Sequence, residues 1–245
     1  MIQACLNGRR TAEEHDGVPL TAERLAADAR AVRSAGASSV HLHPRDGSGR
    51  ETLEARAVAA AVRAVRRACP GLPVGVSTGL WICDGNAAAR QAAVRAWSAV
   101  ADRPDFASVN LGEPGFEDLA GALLDLGVGI EAGVWSEQDA VRLVEGPHAG
   151  SCVRILVEMI DLPVPEALRE ADRILRRLAR AGVFAPVLLH GEGECTWPVL
   201  DRALALGLQT RIGLEDTLTG PDGRDAEGNA ALVGIALRRR PAGGA

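Results

Sequence analysis

Short apolar runs of period two alternate along the chain with longer stretches in which alanine, leucine and arginine recur at helical spacing. The period-two runs predict strands over 2–6, 39–43, 73–77, 106–110, 128–131, 153–158, 187–190 and 210–215. The stretches between them predict helices near 21–35, 54–68, 86–100, 116–126, 136–145, 165–181, 197–206 and 228–238. Spread over 245 residues, eight such pairs give about 31 residues each, the size of one strand–helix unit.

The residues between the units agree with this count. Gly36, Gly127, Gly182 and Gly207 each sit just past a helix and before a strand, where a left-handed residue ends the helix. Thr21 caps the first helix, Ser136 and Asp139 form a capping box, and Pro165 suits a helix start. Eight parallel units in a chain of this length predict an α/β fold, a (β/α)8 TIM barrel spanning 1–245 as one domain, with a short flexible tail at about 239–245. A doubly wound open sheet fits less well. Its first turn carries G-x-G-x-x-G, and here that turn reads Asn7-Gly8-Arg9-Arg10.

Alternation also assigns faces. In the second strand Val40 and Leu42 share one side and His41 and His43 the other; in the sixth, Val153, Ile155 and Val157 oppose Arg154, Leu156 and Glu158. The aliphatic side must meet the helices, so the polar side points into the barrel. The inward set is Asn7, His41, His43, Ser77, Asn110, Glu131, Glu158, His190, Arg211 and Glu215, nearly all at C-terminal strand ends. Each unpaired buried polar group costs about 1–3 kcal/mol, so such a set needs mutual bonding, water or a metal. Barrel enzymes place their chemistry on this face.

Composition narrows the chemistry. All 27 Lys+Arg residues are arginine, and tyrosine is absent too. Without a lysine amine there is no Schiff-base aldolase, no pyridoxal-phosphate enzyme and no Walker-type phosphate loop. A net charge of −5 excludes the basic footprint of a nucleic-acid binder. The first ten residues lack the form of a signal peptide, and no apolar run is long enough to span a membrane. The five cysteines are odd in number, scattered and without C-x-x-C, as expected of reduced thiols in a cytoplasmic protein.

His41-Leu42-His43 puts two imidazoles on one strand face about 7 Å apart at Cα, a spacing that can share one divalent ion with a third ligand. The strand ending Arg211-Ile212-Gly213-Leu214-Glu215-Asp216 offers Glu215, since strands 8 and 2 both flank strand 1. Glu131 and Glu158 are more distant competitors, and His190 reads as a hydrogen-bonded histidine rather than a fourth ligand. Asp46 is the expected acceptor that orients a histidine ligand. Glu113 reads as a solvated rim charge, and His15 and His148 as exposed loop residues.

Together, His41-Leu42-His43-Pro44-Arg45-Asp46, Ser77-Thr78-Gly79, Ser108-Val109-Asn110, Gly129-Ile130-Glu131-Ala132-Gly133 and Arg211-Ile212-Gly213-Leu214-Glu215-Asp216 resemble the β-keto acid cleavage enzymes over essentially the whole chain. The resemblance implies a zinc-dependent barrel that exchanges a β-keto acid with acetyl-CoA, giving acetoacetate and a new acyl-CoA. It implies zinc on His41, His43 and Glu215, and Asp216 as base, paired with Arg211. Ser77, Thr78 and Asn110 would hold the substrate, and Glu131 would line its pocket and share in acid–base work. The family's type member cleaves 3-keto-5-aminohexanoate and has an acid in its first loop; here that place holds arginines, so Arg10 (or Arg9) is expected to favour a neutral or anionic substrate side chain. A homo-oligomer is expected. Two other readings use the same residues: another metal-dependent lyase, aldolase, isomerase or hydrolase, whose ligand set could also hold iron, manganese or cobalt, and a non-catalytic metal- or ligand-binding barrel.

Overall fold

A computed structural model describes residues 1–240 of the chain. Eight parallel strands and eight helices alternate in strict order. The strands are β1 (Ile2–Cys5), β2 (Ser39–Leu42), β3 (Val74–Ser77), β4 (Phe106–Asn110), β5 (Gly129–Val134), β6 (Cys152–Met159), β7 (Val187–Gly191) and β8 (Thr210–Ile212). The helices are α1 (Ala22–Ser34), α2 (Ala55–Ala68), α3 (Ala87–Arg95), α4 (Phe116–Asp125), α5 (Glu137–Glu145), α6 (Val164–Arg180), α7 (Thr196–Ala205) and α8 (Asn229–Arg238). This is the (β/α)8 barrel.

Neighbouring strands pair in the order β7-β6-β5-β4-β3-β2-β1-β8. The circle closes between β7 and β8 through a single parallel bridge, Leu188 to Gln209, and the Thr210 hydroxyl adds a 2.8 Å bond to Leu189 O. The seam is narrow because β8 is shorter than its apolar pattern predicts. The chain turns at Gly213, whose carbonyl accepts from Asp216 N at 2.9 Å and Thr217 N at 3.1 Å. An added Cβ at 213 would lie 1.9 Å from Cys5 O, so only glycine lets the turn lean on β1.

Local signals match their elements. Gly36, Gly127, Gly182 and Gly207 all have positive φ at helix ends. Thr21 accepts from Arg24 N at 3.3 Å, and Ser136 accepts from Asp139 N while giving its hydroxyl to Asp139 Oδ2. The α3 pattern runs on only as one 3-10 turn, Ala96–Ala99, with the Trp97 indole buried and bonded to Leu53 O at 2.9 Å. Val40, Leu42, Val74, Val76, Val109, Ile130, Ile155, Val157 and Ile212 bury their aliphatic sides under the helices. That apolar ring lets the barrel interior be polar.

Among the described residues no helix is long and apolar enough to cross a membrane, and all five cysteines are free. Within the expected C-terminal tail, Arg239 reaches back to Asp201 Oδ1 at 2.7 Å; positions 241–245 lie outside the described residues.

Candidate active site at the barrel mouth

Beyond the C-terminal strand ends opens a cavity of about 410 Å³, whose wall includes His41, His43, Ser77, Asn110, Glu158, Arg211 and Glu215. His41 comes from β2 and His43 from the residue after it. Asn7, just past β1, clamps His43 by its backbone: Oδ1 accepts from His43 N at 2.8 Å and Nδ2 donates to His43 O at 2.9 Å. Glu215 arrives by the Gly213 turn rather than by strand alternation.

The ligand atoms of His41, His43 and Glu215 all lie within 4.8 Å of one another. His41 Nε2 and His43 Nε2 face each other at 3.3 Å, with Glu215 Oε1 at 3.5 Å from His43 Nε2. His43 Nδ1 is 2.5 Å from Glu51 Oε1 and donates its proton there, so Nε2 is the nitrogen turned towards His41 and Glu215. Among the described residues Glu215 Oε2 has no partner although it is buried. Two imidazole nitrogens and a carboxylate converging on one point suit a divalent cation, which would take the place of the second proton on His43. Burial lowers His41 to about 3. It works against charge on His43 as well, but the Glu215 and Glu51 carboxylates raise that residue to about 9.

Arg211 is the hub beside this trio. Its Nη2 donates to Glu215 Oε1 at 2.9 Å and to Asp216 Oδ1 at 3.0 Å. Its Nε donates to His190 Nδ1 at 3.2 Å. Because a guanidinium only donates, that histidine nitrogen is the acceptor, so Nε2–H faces Glu158 Oε2 at 3.0 Å. Burial raises the Asp216 carboxyl despite Arg211 and His190. Glu215 is held well below the usual carboxylate range: burial opposes this, but Arg211, His43 and His41 outweigh it.

A family model described as beta-keto acid cleavage enzyme matches residues 1–184 and 157–240. The chain belongs to the beta-keto acid cleavage enzyme family. It is 23% identical over 256 residues to the 3-keto-5-aminohexanoate cleavage enzyme of Acetoanaerobium sticklandii, a match covering 97% of this chain and 90% of that protein. The enzyme of the same name from Fusobacterium nucleatum is 35% identical over 80 residues, 32% of this chain and 29% of that one. Among solved structures, ObcA in a binary complex with oxaloacetate has a TM-score of 0.69 at 19% identity. A ternary complex of ObcA with a C4-CoA adduct and oxalate has a TM-score of 0.68, also at 19% identity. Each match covers 90% of this chain but 63% of ObcA, so the chain spans less than two thirds of that protein. At this identity the ObcA likeness shows the shared fold.

Within this beta-keto acid cleavage family member, the remaining residues singled out by sequence fall into two groups. Ser77 and Asn110 line the cavity. Thr78 does not: it is fully buried, and its hydroxyl is given to Ser108 O at 2.6 Å. Glu131 is likewise off the cavity wall. It faces inward near the N-terminal end of β5, with no exposure, where it accepts from Gln3 Nε2 at 3.0 Å and pairs with Arg154. Its place on the strand is one layer too deep for a pocket residue, and burial raises its carboxyl. Asp216 is also fully buried behind the wall, reached through Arg211.

The loop residues differ most from expectation. Asp46 does not orient a histidine; its carboxylate accepts from Ser48 and Arg50 within its own turn. Glu51 takes that part, because an antiparallel bridge between Arg45 and Glu51 folds the loop back over His43. Arg10 lines the cavity, but its guanidinium is paired with Glu14 Oε1 at 2.8 Å. So the first loop does bring an acid to the mouth, four residues later than the place where the sequence lacks one. Arg9 lies over the Trp81 ring at 5.8 Å. His15 and His148, expected to be exposed, are both partly buried, His15 tied to Ala226 O at 2.8 Å and His148 to Glu117 at 3.1 Å.

Glu192 and the two tryptophans carried no sequence signal, and Glu113, expected to be a solvated rim charge, is instead paired with the buried Arg90. Trp81 and Trp135 both line the cavity, and the Trp135 indole donates to Glu158 Oε1 at 3.0 Å. Burial, with repulsion from Asp216 and Glu215, pushes the cavity-lining Glu192 up to about 7.

Proposed function

We propose that this chain exchanges a β-keto acid with acetyl-CoA, releasing acetoacetate and the acyl-CoA made from the rest of the keto acid. The C2–C3 bond of the keto acid and the thioester C–S bond of acetyl-CoA break, the keto acid's acyl carbon joins the CoA sulfur, and the acetyl carbon joins the released two-carbon fragment. The observation that carries this reading is the His41, His43 and Glu215 trio beside Arg211, in a chain of this family.

His41, His43 and Glu215 would hold a divalent ion, with zinc favoured by the two-histidine, one-carboxylate set. Such an ion supplies Lewis-acid polarisation of a keto oxygen. Ser77 and Asn110 meet the substrate's carboxylate and keto oxygens. Arg211 places its positive charge at the wall where negative charge develops. Asp216, raised by burial and with Oδ2 unpartnered, is the proton acceptor. His190 links it to the cavity, with Nδ1 3.6 Å from Asp216 Oδ1 and Nε2 facing the cavity-lining Glu158, while Arg211, which only donates, pairs with its charge and carries no proton. With Arg10 neutralised by Glu14 and Arg9 remaining at the mouth, the substrate side chain is neutral or anionic.

The test is a panel of β-keto acids with acetyl-CoA, read by mass spectrometry of the acyl-CoA formed. Acetoacetate and a matching new acyl-CoA are expected, with activity abolished by chelation and restored by zinc. No acetoacetate from any member while the metal is bound overturns the reading, and a preference for amino-bearing keto acids overturns the side-chain assignment.

A further inference from the structure

Glu113 follows β4 in the loop Gly112-Glu113-Pro114, where it was expected to be a solvated charge. Its side chain is only 16% exposed and pairs with Arg90 of α3, itself 1% exposed. Glu113 Oε1 accepts from Asn110 Nδ2 at 2.9 Å. Both carboxylate oxygens also accept from Leu80 N, at 3.1 and 3.2 Å, at the start of the turn Leu80–Cys83 that carries Trp81. The same Arg90 donates to Thr78 O at 3.3 Å and to Pro114 O at 2.6 Å. One buried ion pair therefore holds the loops after β3 and β4 together under the cavity.

The chemistry of the pair fixes a direction. A carboxylate only accepts, so the amide atom of Asn110 that faces Glu113 has to be Nδ2. The amide oxygen then points towards Gly133, where an added Cβ would lie 2.4 Å from Asn110 Oδ1. One Nδ2 proton is taken by Glu113, and the other is the only donor the amide has left. A half-turn of the amide would present an oxygen in its place and repel a carboxylate or keto oxygen.

We propose that Glu113 is a positioning residue: it locks the Asn110 amide as a hydrogen-bond donor to substrate oxygens and holds the Trp81 turn in register with it. The identity of the ligand rests on the proposed reaction; the orientation of the amide does not. Glu113→Gln removes the charge and leaves a side chain that can donate or accept, so the amide loses its single orientation.

Two readouts test this. Side-chain amide NMR of 15N-labelled protein, with the Asn110 signal assigned by its loss in Asn110→Asp, is expected to show one exchange-protected Nδ2 proton that loses protection in Glu113→Gln. Steady-state kinetics are expected to show KM for the β-keto acid raised about tenfold, one hydrogen bond's worth, with KM for acetyl-CoA unchanged. Should Glu113→Gln fail to fold around the uncompensated Arg90, the double variant Arg90→Met/Glu113→Leu removes both charges together and is read in the same two ways. A folded variant that keeps the protected Asn110 proton overturns the proposal. So does one in which both KM values move together. If wild-type protein turns over no β-keto acid, the functional reading falls while the NMR result still decides the role of Glu113.

Discussion

His43 and Glu51 share the shortest polar contact at the ligand trio, 2.5 Å from Nδ1 to Oε1. Glu51 also accepts from the Trp81 indole at 3.2 Å, and the Trp81 ring stacks on His43 at 6.4 Å. The carboxylate thus fixes which nitrogen of His43 is free and where its ring lies, and outer partners of this kind typically govern metal affinity about 10–100-fold. Glu51→Gln is expected to weaken metal binding within that range, measured by competition against a chromogenic chelator. Asp46→Asn, which changes only its own turn, is expected to leave the affinity where it was. The reverse ranking would return the orienting role to Asp46.

Gly133 is where β5 meets both halves of the cavity. A Cβ there would lie 2.4 Å from Asn110 Oδ1 and 2.8 Å from Glu158 Oε1. Neither neighbour is a free chain end: Asn110 is bonded to Glu113, and Glu158 to His190 and Trp135. Gly133→Ala is expected to cost about 1–3 kcal/mol of stability by overpacking, read from urea denaturation. A displacement of one ångström in a positioned group can cost on the order of 100-fold in rate, so kcat/KM should fall much further than the loss of stability alone implies.

Glu131 separates a floor from a site. If it shared in acid–base work, removing its charge would change kcat; placed against Arg154 and Gln3, it instead neutralises a cation whose side chain is 11% exposed. Glu131→Ala is expected to destabilise the fold by about 3–5 kcal/mol, the cost of stranding a buried partner. The variant Glu131→Leu/Arg154→Met is expected to recover most of that loss. KM for the β-keto acid in either folded variant should stay within about twofold, since one lost substrate hydrogen bond is worth roughly tenfold. A large KM change at native stability would restore Glu131 to the pocket.

What could be read from sequence follows the geometry of strands. Period two put His41, Glu158, His190 and Arg211 on the inner face correctly because a strand residue's side is set by its own parity. Parity gives side but not depth: it put Glu131 on the inner face, the resemblance implied a pocket residue, and the carboxylate lies in the floor with no exposure. It also fails where the strand stops early: Glu215 reaches the trio through the Gly213 turn, although its parity happened to agree. Glu51, Glu113 and Glu14 lie on connections, where direction depends on turns and on partners from other loops. No spacing rule connects His43 to a residue eight positions on, across a bridge between Arg45 and Glu51.

Asp28 offers a measurement of stability that leaves the cavity alone. This half-buried carboxyl on α1 accepts from Asn229 Nδ2 at 2.7 Å, and the same amide bonds Leu6 O at 2.8 Å and Leu214 N at 2.7 Å. Burial raises Asp28 from 3.8 to about 6, against smaller lowering by Asn229 and Arg24. The folded state therefore holds this proton more tightly than the unfolded chain. Its stabilising contribution is full below pH 3.8 and is lost as pH rises through about 6. The shift corresponds to at most about 3 kcal/mol, less after screening at the exposed edge of the carboxyl. Asp28→Asn keeps an acceptor for Asn229 and has no charge to bury. It is expected to match wild-type stability near pH 4, to gain steadily between pH 4 and 6, and to hold a constant advantage above that, measured by urea denaturation across the range. A difference that is flat with pH would mean that Asp28 titrates alike in the folded and unfolded chains, and that burial at this helix contact is weaker than the packing against Asn229 requires.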